Sequence, residues 1–131
     1  MIALSRFISE AGITATAERA GNNPHMISST PMHHWRVTLR IGRSRMLVPF
    51  SKGLGHKCAE PTADEVLECL AADSSSVESA EDFAEWCREF GYEDNDRSAR
   101  RTYAQCQKQA MRLREFLGDS DYETLLWDTQ V

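Results

Sequence analysis

An α+β fold, a small three-stranded antiparallel sheet covered by four to five helices, is what this sequence predicts, and three observations predict it. Trp35, Val37, Leu39 and Ile41 alternate with Arg36, Thr38 and Arg40, and Met46, Val48 and Phe50 repeat the alternation after a Gly42-Arg43-Ser44 turn. That period of two is the mark of a half-buried hairpin. Downstream of Pro61, N-cap and C-cap residues bracket one apolar-periodic segment after another. Among these, Ala99, Tyr103, Cys106, Ala110, Leu113 and Leu117 recur at gaps of four and three, which at about 3.6 residues per turn is one stripe of a long helix.

Taken in order, Leu4, Phe7, Ile8 and Ala11 form a short amphipathic helix stopped by Gly12. Ile13, Ala15 and Ala17 then alternate with Thr14, Thr16 and Glu18 as a first strand, ended by Gly21, Asn22, Asn23 and Pro24. Residues His25 to His34 show no period and read as a loop. The hairpin follows; Pro49 has no N–H to donate, which puts its strand at a sheet edge. Ser51 to Pro61 is a loop whose Gly53 and Gly55 lack the lysine and hydroxyl of a phosphate cradle.

Thr62 and Glu65 make a capping box for a helix from Ala63 to about Ala72, which Asp73 and three serines are expected to break. Ser79 is the expected cap of a second helix carrying Phe83, Trp86, Cys87 and Phe90 as core and ending at Gly91. The long helix starts at Asp96 or Ser98 and ends at Gly118, expected in the left-handed conformation. Tyr122, Leu125 and Leu126 suggest a brief terminal helix. A single domain spanning 1–131 is expected, with the first helix and β-meander reaching to about residue 51 and the helical portion covering about 62–127.

Hydrophobic residues at 41% and charged residues at 27% are those of a folded chain. No run reaches the roughly 18 apolar residues of a membrane span. Arg6 and Glu10 interrupt Ile2 to Ile13, so no signal-peptide core is expected and the cytoplasm is the expected location. Cys58, Cys69, Cys87 and Cys106 form no close pair, and the last three sit in helical patterns as small hydrophobes. His56 and Cys58, with His25, His33 and His34 upstream, supply metal-ligand types without metal-ligand spacing, so no metal and no cofactor are expected. No nucleophile elbow, zinc-protease pair, P-loop or dinucleotide turn is present, and a non-enzymatic role is expected.

Charge is the strongest polar signal. Against a net −5, residues 1–60 carry eight Lys or Arg and three acids, while residues 61–96 carry twelve acids and one base, Arg88. Glu78, Glu81, Asp82, Glu85, Glu89, Glu93 and Asp94 are the candidate partner-binding acids; Arg36, Arg40, Arg43 and Arg45 on the hairpin are the alternative, nucleic-acid-binding set.

The stretch from Phe83 to Leu126 has a phenylalanine and cysteine helix, a Phe-Gly-Tyr-acidic turn, and a Tyr-x-x-Cys helix ending in Phe-Leu-Gly. With the strands HWRVTLRIGRSRMLVPFSKGLGH and the segment EPTADEVLECLA, it resembles a family of small uncharacterised bacteriophage and prophage proteins, from about His34 onward. The resemblance implies no catalytic or ligand residues. A small phage protein with no enzyme signature, no membrane segment and an acidic block is expected to act by contact. The leading expectation is an anti-CRISPR inhibitor of a host defence complex, such as a CRISPR effector, whose acidic face occupies a basic nucleic-acid-binding surface and blocks target DNA. The alternative is an accessory protein of phage replication or recombination that binds nucleic acid through the basic hairpin.

Overall fold

The computed structural model describes residues 1–22, 32–53 and 59–131. Ten elements run β1 Ile2–Ala3, α1 Leu4–Ala11, β2 Thr14–Asn22, β3 Met32–Ile41, β4 Ser44–Gly53, α2 Ala63–Glu78, α3 Phe83–Phe90, α4 Arg97–Leu117, α5 Asp119–Trp127 and β5 Thr129–Gln130. The architecture is α+β, with a three-stranded antiparallel sheet and five helices among the described residues. Two units divide the chain: Ser5–Val66, and Met1–Leu4 together with Leu67–Val131. No helix among the described residues is long and apolar enough to cross a membrane.

In the first unit Gly12, at φ 72°, reverses the chain after α1. The Ile13 N–H then reaches back to the Ile8 carbonyl at 3.0 Å, satisfying a carbonyl the helix end would orphan. The sheet order is β2-β3-β4, with β3 central and Pro49 on the edge strand β4, as its missing N–H requires. Register sets Leu39 opposite Met46 and Val37 opposite Val48, and all four are buried. On the other side of β3, Ala15 and Ala17 lie opposite Leu39 and Val37, small residues beside large ones. Ile41 pairs with Ser44, leaving Gly42 and Arg43 as a two-residue loop with Gly42 at φ 56°, a conformation tight hairpins demand and a Cβ resists.

Two expectations are corrected here. His33 and His34 belong to β3, not to a loop, and pair with Lys52 and Ser51 of β4. Phe50 is only half-buried, whereas Trp35 is buried. His25, His56 and Cys58, with the turn at Asn23 and Pro24, lie outside the described residues.

In the second unit α2 does not break at the serines. Ser75 Oγ donates to the Ala72 carbonyl at 3.1 Å and Ser76 Oγ to the Asp73 carbonyl at 2.6 Å, so these hydroxyls bond back within the helix instead of diverting its backbone. Ser74 is fully buried. The cap of α3 is Asp82, not Ser79, whose hydroxyl instead donates to the Ser75 carbonyl at 2.6 Å. Asp96 caps α4 as expected, its carboxylate accepting from the Ser98 N–H at 2.8 Å.

The α4 stripe of Ala99, Cys106, Ala110, Leu113 and Leu117 is buried, with Tyr103 half-buried and Gln109 an unforeseen buried polar residue. Gly118 takes φ 87° but ψ 157°, so it is not left-handed helical; it joins α4 directly to α5. A short parallel pair, Ile2 with Thr129 and Ala3 with Gln130, ties β1 to β5. Cys87 and Cys106 are buried, but Cys69 is exposed and is not a core residue.

Candidate functional site

The arginine set is arranged by the sheet. Arg36 and Arg40 alternate with buried Trp35, Val37 and Leu39, so they occupy the opposite face of β3, and Arg45 stands directly across from Arg40 on β4. Arg43 lies in the two-residue loop at the end of the same hairpin. Glu18, opposite Arg36 on β2, approaches its guanidinium to 3.6 Å, and Arg40 donates to Thr16 Oγ1 at 3.2 Å. Both contacts are exposed, where an ion pair contributes at most about 1 kcal/mol. Leu47 and Pro49 stand on this face too, lining a shallow recess with Arg36.

The seven acids separate into those used by the fold and those left over. Glu78 accepts a 2.9 Å hydrogen bond from the Tyr122 hydroxyl and lies 3.6 Å from Arg114, which also meets Asp119 and Glu123 at 3.6 Å and covers the Tyr122 ring at 4.6 Å. Burial first, and then the bond to Glu78, push the Tyr122 hydroxyl up to about 12. Asp82 accepts from the Glu85 N–H at 2.9 Å, and Glu85 accepts from the Glu81 N–H at 3.0 Å, so two donors at the start of α3 are satisfied by neighbouring carboxylates. Glu81, Glu89, Glu93 and Asp94 are exposed, and their carboxylates have no hydrogen bond or ion pair among the described residues.

Three of those four flank the end of α3, where aromatic rings meet. Trp86 is buried and donates from its indole Nε1 to Ser76 Oγ at 3.2 Å. Gly91, at φ 77° and ψ 25°, closes the helix, and the Tyr92 N–H bonds the Cys87 carbonyl at 2.9 Å. This helix-stop geometry folds the residue after glycine back onto the last turn. Tyr92 accordingly stacks on Trp86 at 5.2 Å and 8°, while Phe90 tilts against the same ring at 5.4 Å. Phe83 and Tyr103 complete the cluster, and Arg100 lies over the Phe83 ring at 4.7 Å. Phe90 is 46% exposed and Tyr92 38%, so Phe90 is no core residue.

Sequence reasoning missed Tyr92 as well as the exposure of Phe90. The available signal was two aromatics within a run otherwise composed of Glu89, Gly91, Glu93 and Asp94. Tyr92, Glu93 and Asp94 line an open recess of about 260 Å³ with Ala84, Cys87 and Arg88.

Among the described residues no group of three His, Cys, Asp or Glu side chains is placed to hold a metal ion. His33 is buried and in contact with the Arg19 guanidinium, and burial followed by that positive charge lowers its pKa. His34 Nδ1 is 2.8 Å from Ser51 Oγ. Cys87 and Cys106 have thiols pushed up by burial, away from the thiolate that nucleophilic or metal chemistry needs. No protein-family model matches the sequence, and no curated protein or solved structure matches it either.

Proposed function

We propose that this protein is a non-enzymatic, phage-encoded inhibitor of a host defence complex, with an anti-CRISPR role as the concrete case, and that it acts by presenting anionic surface to a basic nucleic-acid-binding site. The observation that carries this reading is the set of exposed, unpaired carboxylates at Glu81, Glu89, Glu93 and Asp94 around α3. Carboxylates already paired within the fold repay little on binding, whereas these four retain their charge for a partner rich in Lys and Arg. Glu78, Asp82 and Glu85 support the surface from within the fold instead of making the contact.

The decisive experiment compares two fourfold charge reversals. Changing Glu81, Glu89, Glu93 and Asp94 to Lys is expected to slow association with a CRISPR effector at low salt by about tenfold or more. It should also restore target-DNA binding by the effector. Reversing Arg36, Arg40, Arg43 and Arg45 is expected to change neither.

A second reading is favoured by the in-register placement of Arg36, Arg40 and Arg45 on one sheet face. It predicts an electrophoretic shift of bare DNA or RNA, abolished by the arginine reversals and falling steeply with salt as counterions are released. That shift, with acid reversals inert, would replace the inhibitor reading by the accessory one.

A further inference from the structure

Exposed carboxylates attract a cation but do not select one, and the ring beside them supplies the missing selectivity. We propose that Tyr92 forms the anchor for a single arginine or lysine side chain of the basic protein partner, held over the free face of its ring while Glu93 and Asp94 neutralise it; this rests on the acidic-surface reading above.

Three observations converge. First, Tyr92 has one ring face covered by its parallel stack on Trp86, yet 38% of the residue stays exposed. Aromatic side chains held in place by a buried ring lose little further freedom when a partner arrives, which is why such residues dominate binding energies. Second, the same cluster already shows the chemistry within the chain: Arg100 lies 4.7 Å from the centroid of Phe83, whereas among the described residues no cation sits over Phe90 or Tyr92. Third, the recess beside Tyr92 is bordered by Glu93 and Asp94, so the potential there favours a positive group over a neutral or anionic one. Arg88 borders the recess too and would have to swing toward solvent when an external cation enters. A nucleic acid is the wrong occupant, because its phosphates would meet those same carboxylates.

The test uses the full chain and a short arginine-rich peptide as probe, with a citrulline peptide of equal length as its neutral counterpart. The expected result is binding of the arginine peptide alone, with its side-chain methylene protons shifted upfield in NMR spectra by the ring current of Tyr92. Tyr92→Leu is expected to weaken binding about three- to tenfold and to remove the upfield shift, whereas Tyr92→Phe, which keeps the ring, should retain both. Tyr92→Leu keeps an apolar side chain against Trp86, and a folding defect in it leaves the shift in the native protein and in Tyr92→Phe informative. Binding that persists in Tyr92→Leu with no upfield shift in the native protein would overturn the anchor and leave the acidic surface standing. Binding that survives reversal of Glu89, Glu93 and Asp94, or failure of the native protein to bind at all, would overturn the acidic-surface reading and the anchor with it.

Discussion

The β-meander and the helical unit handle charge in opposite ways. In the meander, strict alternation along β3 assigns Trp35, Val37 and Leu39 to one face and Arg36, Thr38 and Arg40 to the other, so the basic residues are delivered to the surface by the same pattern that builds the core. In the helical unit, polar side chains are structural parts. Ser75 and Ser76 bond back within α2, Asp82 and Glu85 start α3, Asp96 starts α4, and Glu78 with Arg114 secures Tyr122. The difference teaches that a count of acids overstates an anionic surface. Three of the seven acids singled out by the charge pattern are engaged within the fold, and the four that remain define what a partner can meet.

Core burial sets the largest expected effect. Leu113 of α4 is fully buried, while Leu47, on the arginine-bearing face of the sheet, is 55% exposed. Leu113→Ala is expected to cost about 2 to 5 kcal/mol through lost transfer energy and a residual cavity. Leu47→Ala should change stability by no more than about 0.5 kcal/mol. Urea denaturation midpoints check both, and comparable losses would show that the outward face of the sheet is packed, which would erase the contrast drawn between its two faces.

The next effect concerns Tyr122. Its ring is fully buried and its hydroxyl donates to Glu78, so Tyr122→Phe keeps the packing and removes one hydrogen bond to a carboxylate. About 1 to 2 kcal/mol is expected, toward the lower part of the range for charged acceptors because Glu78 is partly exposed. The pH dependence follows from the sign of the shift. The folded state holds this proton to about 12, against 10.0 for an unperturbed tyrosine. Below pH 10 the contribution is therefore complete, and it is lost as pH rises through the folded value, because the unfolded chain gives up its proton first. A phenolate absorbance titration should show a step at about pH 12 that Tyr122→Phe lacks. An unchanged high-pH step in that variant would remove Tyr122 from the network.

These two cases also mark what was legible in the sequence. Periodicity located Leu113, Val37 and Leu39 in the core, and the Thr62 capping box is present, with the Thr62 N–H donating to Glu65 at 3.1 Å. Local signals are readable because the residues that satisfy one another lie within a turn. Tyr122 and Glu78 are 44 positions apart, and no local rule couples them. The serines of α2 misled for a related reason: their preference for turns is weak, a fraction of a kcal/mol per residue, and packing of the helix, in which Ser74 is fully buried, overrides it. Met32 to His34 lacked the apolar alternation of a strand, since His33 is buried as a polar residue against Arg19. At the candidate surface the sequence showed the acids, but not which were occupied. Phe90 read as core because its spacing from Trp86 is helical, although the helix ends there and leaves it facing outward.

The smallest expected effect separates occupied from available acids most directly. Asp82 and Glu89 carry the same charge, are both exposed, and stand at opposite ends of α3. Asp82→Ala removes the acceptor of the Glu85 N–H and should cost about 1 kcal/mol, while Asp82→Asn, which can still accept that bond, should lose only part of it. Glu89 lies in the last turn, where the helix dipole disfavours a negative charge, so Glu89→Gln should leave stability unchanged or raise it by a few tenths of a kcal/mol, with about 1 as the upper limit. For binding the order reverses: Glu89→Gln should slow association with a basic partner and reduce its salt dependence, and Asp82→Asn should do less of either. Denaturation midpoints and association rates measured on the same three variants provide both rankings. If Glu89→Gln destabilises as much as Asp82→Ala, Glu89 is a structural residue, and the surface offered to a partner shrinks to Glu81, Glu93 and Asp94.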